Sequence, residues 1–180
     1  MKQLKKGIIN ISLILTAILI YLLQANFFSW FNIAGVMPNL FVIFILFIGL
    51  FGNRTMGTIY GLVIGLLLDF VIGTTAGINS VGLGLIGFLA TVFDKNFSKD
   101  SRITIMIMVV VATAIFEILS YILNYIFVSI DVEIFNFLKI LVIEMIYNLI
   151  ITIIIYPLIQ TFGYSIENEY KGNKILTRYF

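Results

Sequence analysis

Six apolar stretches with only short polar breaks between them leave this chain one kind of fold. They run approximately over 7–25, 33–51, 56–72, 76–93, 103–130 and 134–162, near or beyond the roughly 20 residues a helix needs to cross about 30 Å of hydrocarbon. None has the period-2 alternation of a barrel strand, and inside hydrocarbon only helices or closed barrels satisfy their backbone polar groups. Of 180 residues 61% are hydrophobic and 11% charged, with a mean hydropathy of +1.13, which removes a soluble domain from consideration. An all-α integral membrane protein is expected, a compact six-helix transmembrane bundle with residues 1–180 as one domain and 163–180 as a short tail. The first stretch follows Lys2, Lys5 and Lys6 as a signal peptide would, but it has full-span length and no small-residue cleavage site, so it reads as a retained helix. The fourth is interrupted by Gly77, Gly82, Gly84 and Gly87 and is expected to be bent or partly re-entrant.

Basic residues set the orientation. With the N-terminus inside, the inner side receives Lys2, Lys5, Lys6, Arg54, Lys95, Lys99, Arg102, Lys171, Lys174 and Arg178, and the outer side only Lys139. Six membrane crossings with both termini cytoplasmic are therefore expected. Cys and His are absent, which excludes thiol chemistry, disulfides, the usual zinc sites and histidine acid–base catalysis. The connections are too short to fold alone, so no soluble catalytic or nucleotide-binding domain is expected, nor any metal, cofactor or nucleic-acid partner.

Two sets of residues inside the apolar stretches need a reason. Gly57, Gly61, Gly65, Asp69 and Gly73 repeat every four residues, which puts a glycine groove and one carboxylate on a single helix face. That face is expected either to pack within the chain or to bind a partner. Asp69, Glu117 and Glu144 are carboxylates within spans, each costing about 2.5–3.5 kcal/mol at a helix centre. Counted back from the turn between the last two spans, Glu117 and Glu144 differ in depth by only about 5 Å. They are expected to form a polar cluster with Asn124 and Asn148, serving either as glue between helices or as a proton or solute site. The aromatic group Phe27, Phe28, Trp30 and Phe31 reads as an interfacial belt.

The order Met37-Pro38-Asn39-Leu40, then Gly57-x3-Gly61-x3-Gly65-Leu66-Leu67-Leu68-Asp69, then Gly73 and Gly77-x-Asn79 resembles the MreD family, the small membrane subunit of the bacterial rod-shape (elongasome) system. Its specific part is residues 37–87; elsewhere the likeness is mainly one of hydropathy. The resemblance implies a non-enzymatic scaffold that binds MreC and helps couple MreB filaments to lateral-wall peptidoglycan synthesis by RodA and a class B penicillin-binding transpeptidase. Carried over by position, it singles out Pro38, Gly61, Gly65, Asp69, Gly73 and Asn79. On this reading Asp69 fixes the register of helix packing through hydrogen bonds.

A solute-binding S subunit of an energy-coupling-factor transporter has similar size and helix number, and the two families are thought to share a related architecture. Its first helix typically carries an alanine-rich docking motif, whereas Ile11–Tyr21 offers only Ser12 and Ala17 as small residues. A small proton-coupled carrier built on Glu117 and Glu144 is a further alternative. A membrane hydrolase lacks a recognisable constellation, having no His, no Cys and no Gly-x-Ser-x-Gly elbow.

Overall fold

The computed structural model describes residues 2–73, 75–97, 99, 101–128 and 133–171. Met1, Thr74, Ser98, Asp100, residues 129–132 and those beyond Lys171, with Lys174 and Arg178, lie outside the described residues. Six helices account for nearly all of what is described. Helix α1, Lys2–Leu22, runs on through a π-helical turn, Leu23–Phe27, to Trp30; then follow α2 Leu40–Phe51, α3 Arg54–Ile72, α4 Ile78–Asn96, α5 Arg102–Val128 and α6 Ile134–Tyr170. No strand is present among the described residues beyond an isolated bridge between Ile33 and Val36.

Five of the helices are long and apolar enough to cross a membrane, and α2 is not. At 12 residues it is about 18 Å long. The sequence predicts a span over 33–51, but 33–39 forms an irregular turn in which Ala34 and Gly35 take positive φ (53° and 82°). The apolar run misleads because its hydrophobicity serves burial in protein instead of exposure to lipid. Eleven of the twelve residues of α2 are buried, so the helix is apolar all round and forms the axis of the bundle. Irregular backbone at membrane depth is tolerated where protein surrounds it.

A short buried helix needs both of its ends satisfied. At its C-terminal end, the Leu50 carbonyl accepts from Lys171 Nζ (2.5 Å) and Lys99 Nζ (3.4 Å), and Lys99 also lies over the Phe51 ring. Cations here complement the negative end of the helix dipole. Asp94 and Glu167 complete the cluster: Lys99 pairs with Glu167 at 2.6 Å and Asp94 at 3.0 Å, and Lys171 with Asp94 at 2.6 Å. For Lys99, burial favours the neutral amine, but the hydrogen bonds and charges of Glu167 and Asp94 outweigh it and hold the group above its usual value. For Lys171 burial wins and the group falls below its usual value, with the neighbouring Lys99 charge pushing the same way. Lys99→Met is expected to cost about 3 kcal/mol, since it leaves Glu167 without its cation in a nearly closed site. Thermal unfolding of the single variants and of Lys99→Met/Glu167→Gln together should reveal a coupling well above 1 kcal/mol, and additivity would refute the pairing.

The tightest packing is the α3–α4 hairpin. A Cβ at Gly57 would come 2.7 Å from Gly49 Cα and Gly87 O, one at Gly65 2.5 Å from Ser80 Cα, and one at Gly61 would overlap the Leu83 carbonyl. Backbone thus meets backbone along the whole stripe, and Gly49 brings α2 into the same contact. Helix α4 is continuous from Ile78. Its glycines admit neighbouring helices: Gly87 faces Gly57, Gly84 faces Leu62 and Gly82 faces Phe116.

Helix α1 is held by few contacts. Leu13 is its buried hydrophobic residue, half-buried Ile9, Ala17, Ile20 and Tyr21 pack against the core, and polar contacts add to this hold. Asn10 Oδ1 accepts from Tyr60 on α3 (3.2 Å) and Tyr170 on α6 (2.7 Å), and Lys5 pairs with Glu169 at 3.5 Å. The last pair places the starts of α1 and the end of α6 on one face of the bundle, together with Lys99 and Lys171.

Candidate functional site: the polar cluster at the start of helix α2

The N-terminal end of α2 lies among polar side chains from three other helices, α1, α5 and α6. Asn39 is its N-cap and accepts from the Val42 N–H at 3.3 Å. The Asn39 N–H donates to Asn148 Oδ1 on α6 (2.8 Å), and the Leu40 N–H donates to Gln24 Oε1 (3.2 Å) in the π-helical turn of α1. Asn148 in turn donates from Nδ2 to Thr113 Oγ1 on α5 (2.9 Å), while Thr152 Oγ1 donates to the Asn148 carbonyl (2.7 Å). Thr113, Asn148 and Thr152 are fully buried. One asparagine therefore ties three helices together while capping one of them, using both faces of its amide.

Glu144 stands one turn before Asn148 on the same face of α6 and is 6% exposed. Glu117 of α5, Asn148 and Asn39 adjoin its carboxyl group, yet Oε1 makes no hydrogen bond. Ser120 Oγ and Tyr121 Oη, one turn from Glu117, are also buried without a partner, and the Tyr121 ring lies 4.2 Å from that of Phe137. Beside this cluster opens a crevice of about 230 Å³ lined by Gln24, Gly35, Val36, Met37, Pro38, Asn39, Ile140 and Glu144.

The other expected site residues fall elsewhere. Asn124 donates to the Ser120 carbonyl at 2.8 Å along its own helix instead of reaching across to the two glutamates. Asp69, 1% exposed, caps α4: its carboxylate accepts from the backbone N–H groups of Gly77 (2.8 Å), Asn79 (3.1 Å) and Ser80 (3.2 Å) and from Asn79 Nδ2 (2.9 Å). A carboxylate at a helix N-terminus meets both the free donors and the positive end of the dipole. Gly73 and Gly77 shape the intervening turn with φ of 73° and 108°, and Gly73 closes α3 in the left-handed conformation. The stripe Gly57, Gly61, Gly65 is consumed by α4, so its geometry is that of packing within the chain.

Compared with protein-family models, residues 1–165 match the model described as rod shape-determining protein MreD. The chain belongs to the MreD family. Comparisons with curated proteins and with solved structures returned no match. Membership makes this a membrane protein of the rod-shape-determining class. The motif residues of the MreD likeness then acquire concrete local roles. Pro38 and Asn39 deliver the chain into α2, the glycines join α3 to α4, and Asp69 with Asn79 secures the turn between them.

Gln24 and Thr113 are site residues that sequence reasoning did not single out, and Asn39 entered it only as part of the Met37–Leu40 motif. Gln24 and Thr113 are isolated polar residues within long apolar runs, and that isolation was the available signal. A lone amide in a lipid-facing helix needs a partner, but nothing in the sequence says that the partner is a helix terminus.

Proposed function

We propose that this MreD-family chain is a non-enzymatic scaffold subunit of the cell-elongation machinery. It holds MreC in the plasma membrane and helps couple MreB filaments to RodA and its transpeptidase partner. In this reading the lysine-bearing end of the bundle, with both termini, faces the cytoplasm. The observation that carries the proposal is the family match over residues 1–165. The packing supports it: the glycine faces are spent internally, and the rigid hairpin around α2 leaves large apolar faces of α1 and α3, including Ile11, Leu15, Ile18, Ile59, Leu67 and Phe70, outside the bundle. In a bilayer such faces meet lipid or a transmembrane helix of a partner.

The test is recovery of partners from native membranes by the tagged protein, with growth of rods as a second readout in a strain lacking its own MreD. MreC and the wall synthases are expected in the recovered complex. Recovery of a transporter coupling subunit with its ATPases instead, without MreC, would replace this reading with that of a solute-binding subunit.

A further inference from the structure

Helices α3 and α5 run in the same direction and start at the same level. Arg54 opens α3 directly after the end of α2, and Arg102 opens α5 three residues after Lys99, whose Nζ reaches the Leu50 carbonyl in the last turn of α2. From that common level α3 continues for 19 residues and α5 for 27, which is about 29 Å against about 41 Å. The difference is carried by apolar side chains that no part of the protein covers. On α5, Ile103, Ile107, Val111, Ile118, Ile122 and Ile126 are exposed at spacings of four and seven residues, an uncharged stripe about 35 Å long. On α3 the matching stripe is Ile59, Val63, Leu67 and Phe70; even carried on to Ile72 it measures about 20 Å. The hydrocarbon core of a bilayer is about 30 Å thick, so one wall of the bundle falls short of it and the other exceeds it.

The protein does not level these walls by itself. Tilt lowers the reach of a helix along the membrane normal and never raises it, so the α3 figure is an upper bound. The ends of α3 are also fixed. Asn53 Oδ1 accepts from the Met56 N–H (2.8 Å) at its first turn, and the Asp69 carboxylate holds the turn into α4. Between them backbone packs on backbone at Gly57, Gly61 and Gly65. Arg54 does not extend the wall outwards, since its guanidinium lies 3.7 Å from the centroid of the Phe88 ring on α4. To end level with an upright α3, α5 would have to lean by about 45°, beyond the roughly 0–40° range of transmembrane helices. A stripe that carries no charge over its whole length suits acyl chains throughout, and lipid is the softer partner in such a mismatch.

We propose that the bundle is a hydrophobic wedge that deforms the surrounding bilayer: acyl chains thin along the α3 wall and extend along the α5 wall, so that the protein holds a gradient of membrane thickness around itself. The occupant of both walls is lipid, matched by chain length and not by headgroup. The gradient is a property of the chain alone and needs no partner protein.

The chain has no cysteine, so the full protein can carry single spin labels through Thr55→Cys, Phe70→Cys, Ile103→Cys and Ile126→Cys, all at exposed positions. Their depth is read from the ratio of oxygen to water-soluble nickel-complex accessibility in phosphatidylcholine bilayers with myristoleoyl, oleoyl or erucoyl chains. The labels at 70 and 126 are both expected at the border of the hydrocarbon in all three bilayers, each moving by less than about 5 Å, one helical turn. The labels at 55 and 103 are expected to do the same at the opposite surface. A label at 70 that sinks by more than a turn as the chains lengthen would overturn the proposal. So would a label at 126 that meets the nickel complex as freely as a water-exposed site, because α5 would then stand clear of a flat bilayer. Depths at 55 and 103 that differ by more than a turn would replace the wedge with a tilt of the whole bundle. Should a labelled variant lose its monodisperse peak, Val71→Cys serves for position 70, Ile122→Cys for 126, Ile59→Cys for 55 and Ile107→Cys for 103, each exposed as well.

Discussion

Gly61→Val is expected to abolish the folded state. The added Cβ at this position would enter the backbone of α4 at Leu83 and Gly84, and backbone in a helix cannot rotate aside as a side chain can. Overpacking of ordinary cores costs about 1–3 kcal/mol; here the whole hairpin must separate, and with it the Gly49 contact that seats α2. The expected cost is at the top of that range or above, a large part of the stability of any domain of this size. In size-exclusion profiles of detergent-solubilised protein, the variant should lose its monodisperse peak. Gly7→Val, where an added Cβ meets nothing within 4 Å, is the control and should behave as wild type. A monodisperse Gly61→Val protein with an unchanged Tm would show that α3 and α4 do not pack along this stripe.

Asp69→Ala is expected to cost about 4 kcal/mol or more. It strands three backbone N–H groups and the Asn79 amide in a site that is 1% exposed, and each buried donor left unpaired costs about 1–3 kcal/mol. Asp69→Asn keeps one acceptor oxygen and loses the charge, so its loss should be intermediate. Thermal unfolding of both variants in one detergent checks the order. The effect should appear as lost stability before any loss of partner capture, because Asp69 points at its own chain. Both substitutions within about 1 kcal/mol of wild type would mean that the turn from α3 to α4 holds without its cap.

How much of this was legible in the sequence differs between elements for physical reasons. The α3–α4 hairpin could be read closely, since a four-residue glycine repeat has few uses other than close helix approach, and an acid four residues further lies on the same face. Left open was whether the approaching helix belonged to the chain itself, because a glycine groove accepts any smooth backbone. The pairing of Glu117 with Glu144 followed from depth counting on two antiparallel helices joined by a short turn. The exclusion of Asn124 did not, since one polar side chain can bond along its own helix as readily as across to another. Helix α2 is shorter than its apolar run predicts, since hydropathy cannot distinguish a run that meets lipid from one that meets protein.

By itself the sequence determined that the chain is a helical membrane bundle and to which family it is similar. These depend on transfer energies and local backbone preferences, which are properties of short segments. The tertiary structure alone decided that α2 is a buried half-length axis, that lysines 99 and 171 close one of its ends, and that Gln24, Asn39 and Asn148 close the other. Those contacts join residues as far apart as Leu50 and Lys171 or Asn39 and Asn148. Which distant polar group satisfies which helix end is fixed only when all six helices are packed, because only packing brings those groups within hydrogen-bond reach.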